Sequence, residues 1–258
     1  MRMGNPALRK TLSRAQKGEI AVEVEPATHG GIARKSVLFA ALTVVSAVAT
    51  MLLLTHAIQI ESERLLSTLL ISAGIGAFLM LVLSVAIMFA PAACGALGSV
   101  YSVCQGVLLG IVVCLINSVF PGVAFAAILG TIIVFVLSVV LNKALSVRIS
   151  NRLWRSLFIA FLALIAVEVI MLIVSLFNGG IDVWANFWIQ LGITVFCVFY
   201  ASVMLMWDLQ TADDVVNVGA DKRYEWLVAF SLVTTLVYLY LEILELLVRL
   251  IILFGDRN

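Results

Sequence analysis

Residues 224–254 read YEWLVAFSLVTTLVYLYLEILELLVRLIILF. The stretch is long enough to cross a membrane as a helix, which takes about 20 apolar residues. It is not apolar all round. Ser231, Thr235, Tyr238, Glu242, Glu245 and Arg249 follow one another at steps of four, three, four, three and four. That spacing lines all six along one face of an α-helix. Two carboxylates and a guanidinium do not face lipid tails, because a charged side chain near the bilayer centre costs at least ~2.5–3.5 kcal/mol. The stripe must turn inward, so the helix that carries it belongs inside a bundle.

The rest of the chain agrees. Of 258 residues, 63% are hydrophobic and 12% are charged, and the mean hydropathy is +1.16. A soluble domain is nearer half apolar and a quarter charged. The predicted fold class is therefore an all-α integral membrane protein. Seven spans are expected, at roughly 36–58, 66–89, 95–116, 122–141, 156–177, 184–207 and 226–254. Pro91 and Pro121-Gly122 punctuate them, and Gln210–Glu225 reads as the longest loop. Residues 1–35 read as a flexible basic cytoplasmic tail, and residues 36–258 as the seven-helix transmembrane domain. The tryptophans 154, 184, 188, 207 and 226 fall at span ends, where interfacial aromatic belts form.

Thirteen of the sixteen Lys and Arg residues lie in the N-terminal tail and in the loops after spans four and six. That asymmetry places the N-terminus in the cytoplasm and the C-terminus outside. The four cysteines sit in apolar segments with no CxxC pair and read as small buried hydrophobes. Gly106 and Gly110, and likewise Gly74 and Gly76, read as small-residue packing signals.

Ionisable groups inside or beside the spans are few: His56, Glu168, Asp208, Glu242, Glu245 and Arg249. His56 reads as interfacial. Glu168 falls mid-span and serves either as a proton or cation site or as a structural partner. Glu245 and Arg249 have the spacing and order of an intrahelical ion pair. Ser231, Thr235 and Tyr238 read as packing and hydrogen-bonding positions. Glu242 then needs a partner from another span, and Asp208 at the end of span six is the candidate. The two acids are equidistant from position 225. The turn at Gly219–Arg223 is centred earlier and would offset them by ~10 Å. If they meet, they share one proton and sense pH. When both are ionised, they offer hard oxygen ligands suited to Ca²⁺.

Enzyme chemistry finds no foothold. There is no lysine in span seven, no HExxH helix and no Walker-type loop. The only Gly-x-Asp of the region, Gly219-Ala220-Asp221, is in a loop. No catalytic residue and no cofactor is expected.

The motifs Trp207-Asp208-Leu209-Gln210, Tyr224-Glu225-Trp226 and Leu239-Tyr240-Leu241-Glu242-Ile243-Leu244, the last followed by Leu246-Leu247, resemble the end of a Bax inhibitor-1 (TMBIM, YccA-like) protein. Asn5-Pro6-Ala7-Leu8 is similar to the opening of a bacterial branch with a longer tail. The resemblance is specific over roughly residues 200–254. Elsewhere it rests on the span count and the region of Tyr101, Gly106 and Gly110. It implies a seven-helix fold with the last helix surrounded by the other six. It also implies a pH-sensitive Ca²⁺ leak whose closure is controlled by acids on helices six and seven. By motif these map to Asp208 and Glu242. Three features depart from the family pattern. Phe89–Ala93 offers no arginine, Gln105 stands where an acid is expected, and the linker between the two acids is longer.

The resulting expectation is a passive, pH-sensitive calcium leak channel in a bacterial plasma membrane. Asp208 and Glu242 form its sensor and gate, and also its calcium ligands. Tyr238, Glu245, Arg249 and Glu168 form the supporting polar set. Its partners are the lipid bilayer and the calcium ion that permeates, with no nucleic acid. Two other readings stay open here: a regulatory protein that binds membrane proteases or other membrane partners, and a proton-coupled transporter using Glu168 and Glu242.

Overall fold

A computed structural model describes residues 25–60, 63–143, 148–178 and 187–255. Seven α-helices make up nearly all of them: α1 His29–Gln59, α2 Glu63–Phe89, α3 Cys94–Val119, α4 Val123–Lys143, α5 Asn151–Asn178, α6 Phe187–Asn217 and α7 Tyr224–Gly255. A short 3₁₀ turn, Pro91–Ala93, separates α2 from α3, as a proline that cannot continue a helix requires. Gly122, at φ 86°, supplies the left-handed residue between α3 and α4. The all-α membrane architecture read from the sequence is what the chain adopts. Among the described residues, five segments are long and apolar enough to cross a membrane: α1, part of α2, α3 with its 3₁₀ turn, α4 and α6.

Two boundaries differ from the sequence reading. The tail does not run to residue 35, because Thr28 caps a helix that starts at His29. Its hydroxyl accepts from the Gly31 amide at 3.0 Å, satisfying one of the orphan donors of the first turn. Residues 1–24 lie outside the described residues. The expected loop Gln210–Glu225 is also mostly helix. α6 continues to Asn217, because residues 210–217 keep an amphipathic pattern that buries Gln210, Ala212 and Val215. Only residues 218–223 link α6 to α7.

α7 is the central helix, packed against α1, α3, α4 and α6. α5 reaches it through the ring of Phe161 against Tyr238, with centroids 6.3 Å apart. Leu239 and Leu244 have no exposed surface, and they join a core with Leu205 of α6 and Ala127 of α4. α2 lies outside, against α1 and α3. α5 is fixed to α6 by an aromatic stack: Trp154 on Trp207 at 5.0 Å, and Phe161 on Tyr200 at 4.3 Å.

The tightest helix pair is α1 and α3, and small residues make it possible. Gly98, Ser102, Gly106 and Gly110 are buried along one side of α3. A Cβ on Gly106 would collide with the carbonyl oxygen of Thr43 and the hydroxyl of Ser46, and one on Gly110 with the carbonyl oxygen of Ala47. Gly74 of α2 has open space around it, and a Cβ on Gly76 would meet nothing closer than 3.9 Å. So only the first glycine pair mediates close packing. Gly106→Ala is expected to lower the melting temperature in detergent, costing ~1–3 kcal/mol as overpacking against backbone does. Gly74→Ala is expected to raise it slightly, by ~0.5–1 kcal/mol through helix propensity. Equal melting temperatures for the two variants would remove the packing role of Gly106.

Candidate functional site

The α6–α7 hairpin is built by its turn. Gly219, at φ 65°, takes the left-handed conformation after α6, and the Ala220 amide closes back onto the Val215 carbonyl at 3.1 Å. Asp221 Oδ1 then accepts from the Arg223 amide at 2.9 Å, starting α7. The hairpin is thus centred near residue 220. Residues equidistant from that centre lie level, which puts Asp208 beside residues 231–235.

That is where its carboxylate is bound. The Ser231 hydroxyl donates to Asp208 Oδ1 at 2.8 Å, and the Thr235 hydroxyl donates to Oδ2 at 2.5 Å. The two donors are four residues apart, neighbours on one face of α7. Each serves one carboxylate oxygen, so a single side chain of α6 bridges two turns of α7. Asp208 is 7% exposed and Thr235 is 1% exposed. No Lys, Arg or His forms an ion pair with Asp208 among the described residues. A buried carboxylate held by hydroxyls alone depends on keeping both donors, since each unsatisfied buried polar group costs ~1–3 kcal/mol.

The expected pairing of Asp208 with Glu242 is therefore not formed. Glu242 lies seven residues past Thr235, about 10 Å further along α7 at 1.5 Å per residue. The reason is the early turn, which shifts the register of the two helices. The two carboxyls have separate partners, Ser231 and Thr235 for Asp208 and Tyr238 for Glu242. No group of three or more His, Cys, Asp or Glu residues that could hold a metal occurs among the described residues.

Glu242 belongs to a second tier instead. It is half-buried, and the Tyr238 side chain shares hydrogen bonds with it and with Cys197 of α6. A third tier lies nearer the end of α7. Glu245 Oε1 accepts from Arg249 Nε at 3.0 Å and from the Thr194 hydroxyl at 3.2 Å. The other arm of Arg249 donates to Gln190 Oε1 at 2.5 Å. The ion pair expected between Glu245 and Arg249 is present. His56 is exposed in the last turn of α1. Glu168 is on α5, with its side chain outside the described residues.

The sequence reads Ser231 and Thr235 as packing and hydrogen-bonding positions; the structure adds that both hydroxyls go to Asp208. The signal that identifies them is their i, i+4 spacing combined with the turn centre at Gly219–Arg223. Asp208 and the pair 231/235 are equidistant from that centre, and Glu242 is not.

A family model described as Bax inhibitor 1 like matches residues 5–251, almost the whole chain. No curated protein and no solved structure matches it.

Proposed function

Since the chain belongs to the Bax inhibitor 1 like family of membrane proteins, we propose that it is a passive, pH-sensitive calcium leak in a bacterial plasma membrane. Its N-terminus is cytoplasmic and its C-terminus external. The observation that carries this reading is the buried Asp208 carboxylate bridging α6 and α7 through Ser231 and Thr235. The ionised carboxylate accepts on both oxygens. A protonated one carries its own donor on one oxygen, so one hydroxyl must turn away or accept instead. A state in which the hydroxyls have withdrawn while the carboxyl stays buried holds the proton better than the doubly bridged state, because burial disfavours the charge and the two donors no longer offset it. By linkage, acid favours the opened state. Asp208 is then both sensor and latch, and calcium permeates when the latch opens. Glu242, in the next tier along the same helix, supplies a hard oxygen along the route.

The test is calcium entry into calcium-free liposomes holding the purified protein, measured against pH. Flux through the wild type is expected to rise on acidification. Asp208→Asn cannot gain or lose a proton in this range, so its flux is expected to be flat with pH. A pH response of Asp208→Asn equal to that of the wild type would remove Asp208 from the sensor role. Absence of calcium entry at every pH would remove the leak itself.

A further inference from the structure

Residues 25–35 cross to the α6–α7 turn, about two hundred residues away in sequence, and are tied to it at every level. The backbone pairs as a short antiparallel bridge between Pro26 and Asp221. The Ala27 amide donates to the Ala220 carbonyl at 2.7 Å, and the Lys222 amide donates to the Glu25 carbonyl at 3.0 Å. Below the bridge, Ala27 and Ile32 enter the same core cluster as Val215, Ala220 and Val228.

The polar anchor is Glu225, 1% exposed in the first turn of α7. Its Oε1 accepts from the Thr28 amide at 2.8 Å and the Thr28 hydroxyl at 3.2 Å. Its Oε2 accepts from Lys35 Nζ at 2.7 Å. The same ammonium lies 4.7 Å from the ring centroid of Trp226. Gly31 is what lets the carboxylate approach the start of α1, because any Cβ there would collide with it. The positive end of the α1 dipole adds to the attraction. His29 reaches α6 as well, with Nδ1 3.8 Å from Asp213 Oδ1. Both helices of the hairpin are therefore held by one segment.

We infer that residues 25–35 form a cytoplasmic strap, anchored on Glu225, that fixes the register of the α6–α7 hairpin and so seats Ser231 and Thr235 on Asp208. The mechanical route is short. Ser231 follows Glu225 by six residues on one continuous helix, about 9 Å along its axis. A helix transmits axial displacement, so freeing Glu225 frees the two hydroxyls from the carboxylate. A strapped hairpin is latched, and an unstrapped one is free to open. The effect on calcium entry rests on the leak reading above; the effect on the hairpin does not.

The test reads the hairpin and the flux separately. Pro26 and Asp221 face each other as a non-hydrogen-bonded antiparallel pair, for which Cα atoms lie ~4.5 Å apart. That is within reach of a disulfide. Pro26→Cys/Asp221→Cys therefore locks or frees the strap in the same molecule with oxidant or reductant. The two single-cysteine variants control for the native cysteines. Lys35→Met loosens the strap independently. Amide hydrogen exchange at residues 220–230 is expected to slow on oxidation and to speed up in Lys35→Met. Calcium entry at neutral pH is expected to rise about tenfold in Lys35→Met, the factor for loss of one charge-assisted hydrogen bond. On oxidation, the acid-induced flux is expected to disappear. Identical exchange at 220–230 in the oxidised, reduced and Lys35→Met forms overturns the strap. Exchange that follows the strap with no calcium entry in any form supports the strap and overturns the leak.

Discussion

Thr235→Val is expected to raise calcium entry at neutral pH by ~30-fold and to flatten its rise on acidification, the factor that corresponds to about 2 kcal/mol. Valine keeps the shape of threonine, so the packing of this buried position around α7 is retained. What is lost is the donor to Asp208 Oδ2. The carboxylate is then buried with Ser231 alone, and the latched state bears the cost of an unsatisfied charged acceptor. The latch then holds by one hydroxyl, so opening breaks one hydrogen bond instead of two. Ser231→Ala is expected to do the same less strongly, since Ser231 is half-buried and water can replace its hydroxyl. Calcium entry against pH in liposomes distinguishes the outcomes. A Thr235→Val profile that overlies the wild type means the bridge does not gate. Glu242→Gln offers a contrast: it changes an acid one tier away and is expected to leave the pH response in place.

Glu225→Leu is expected to produce the largest loss of stability of any single substitution at the end of the bundle where α1 and α7 begin. It leaves the Lys35 ammonium, whose side chain is 14% exposed, without its carboxylate. It also leaves the Thr28 amide without its acceptor. Removing one partner of a buried ion pair costs ~3–5 kcal/mol, mostly because the other charge stays behind. The melting temperature in detergent is expected to fall sharply, with Glu225→Gln between wild type and Glu225→Leu. The pH dependence has a definite sign. Burial pushes the Glu225 carboxyl up, but the hydrogen bonds from Lys35 and Thr28 and the Lys35 charge outweigh it and hold the carboxyl below the ordinary value of 4.5. A carboxyl depressed on folding contributes stability above its unfolded value and loses it as pH falls through the folded one. The gap between wild type and Glu225→Gln is therefore expected to be full near neutrality and to close below about pH 4.5. A gap that stays constant down to acid pH would place the role of Glu225 in packing alone.

The architecture was legible because its cause is local. Long apolar runs broken at Pro91, Pro121-Gly122 and a few charged patches leave helices as the structure that satisfies the backbone within a bilayer. The stripe of residues 231–249 announced a central last helix, because charge at that depth has to face protein; Thr235 is buried, whereas Glu245, expected to turn inward with it, is exposed beside Arg249. The Glu245–Arg249 pair was legible for the same reason, being set by helix spacing alone. Asp208 was legible as an acid that needed a reason to be where it is.

The partner of Asp208 depended on tertiary structure. Level positions on two antiparallel helices are set by where the turn falls, and each residue of uncertainty in that centre moves the match by two residues, about 3 Å. Gly219 and Asp221 fix the turn near residue 220, and that choice gives the carboxylate to Ser231 and Thr235 instead of Glu242. The strap is a non-local feature too. Thr28, Gly31 and Lys35 carry no pattern that points to Glu225, because nothing in a linear spacing records a contact across about two hundred residues. The sequence by itself determined which segments are helices, which helix is innermost and which acids are costly to bury. The tertiary structure decided which hydroxyls and which ammonium meet those acids, because register and chain crossing are properties of the packed bundle and of no single helix.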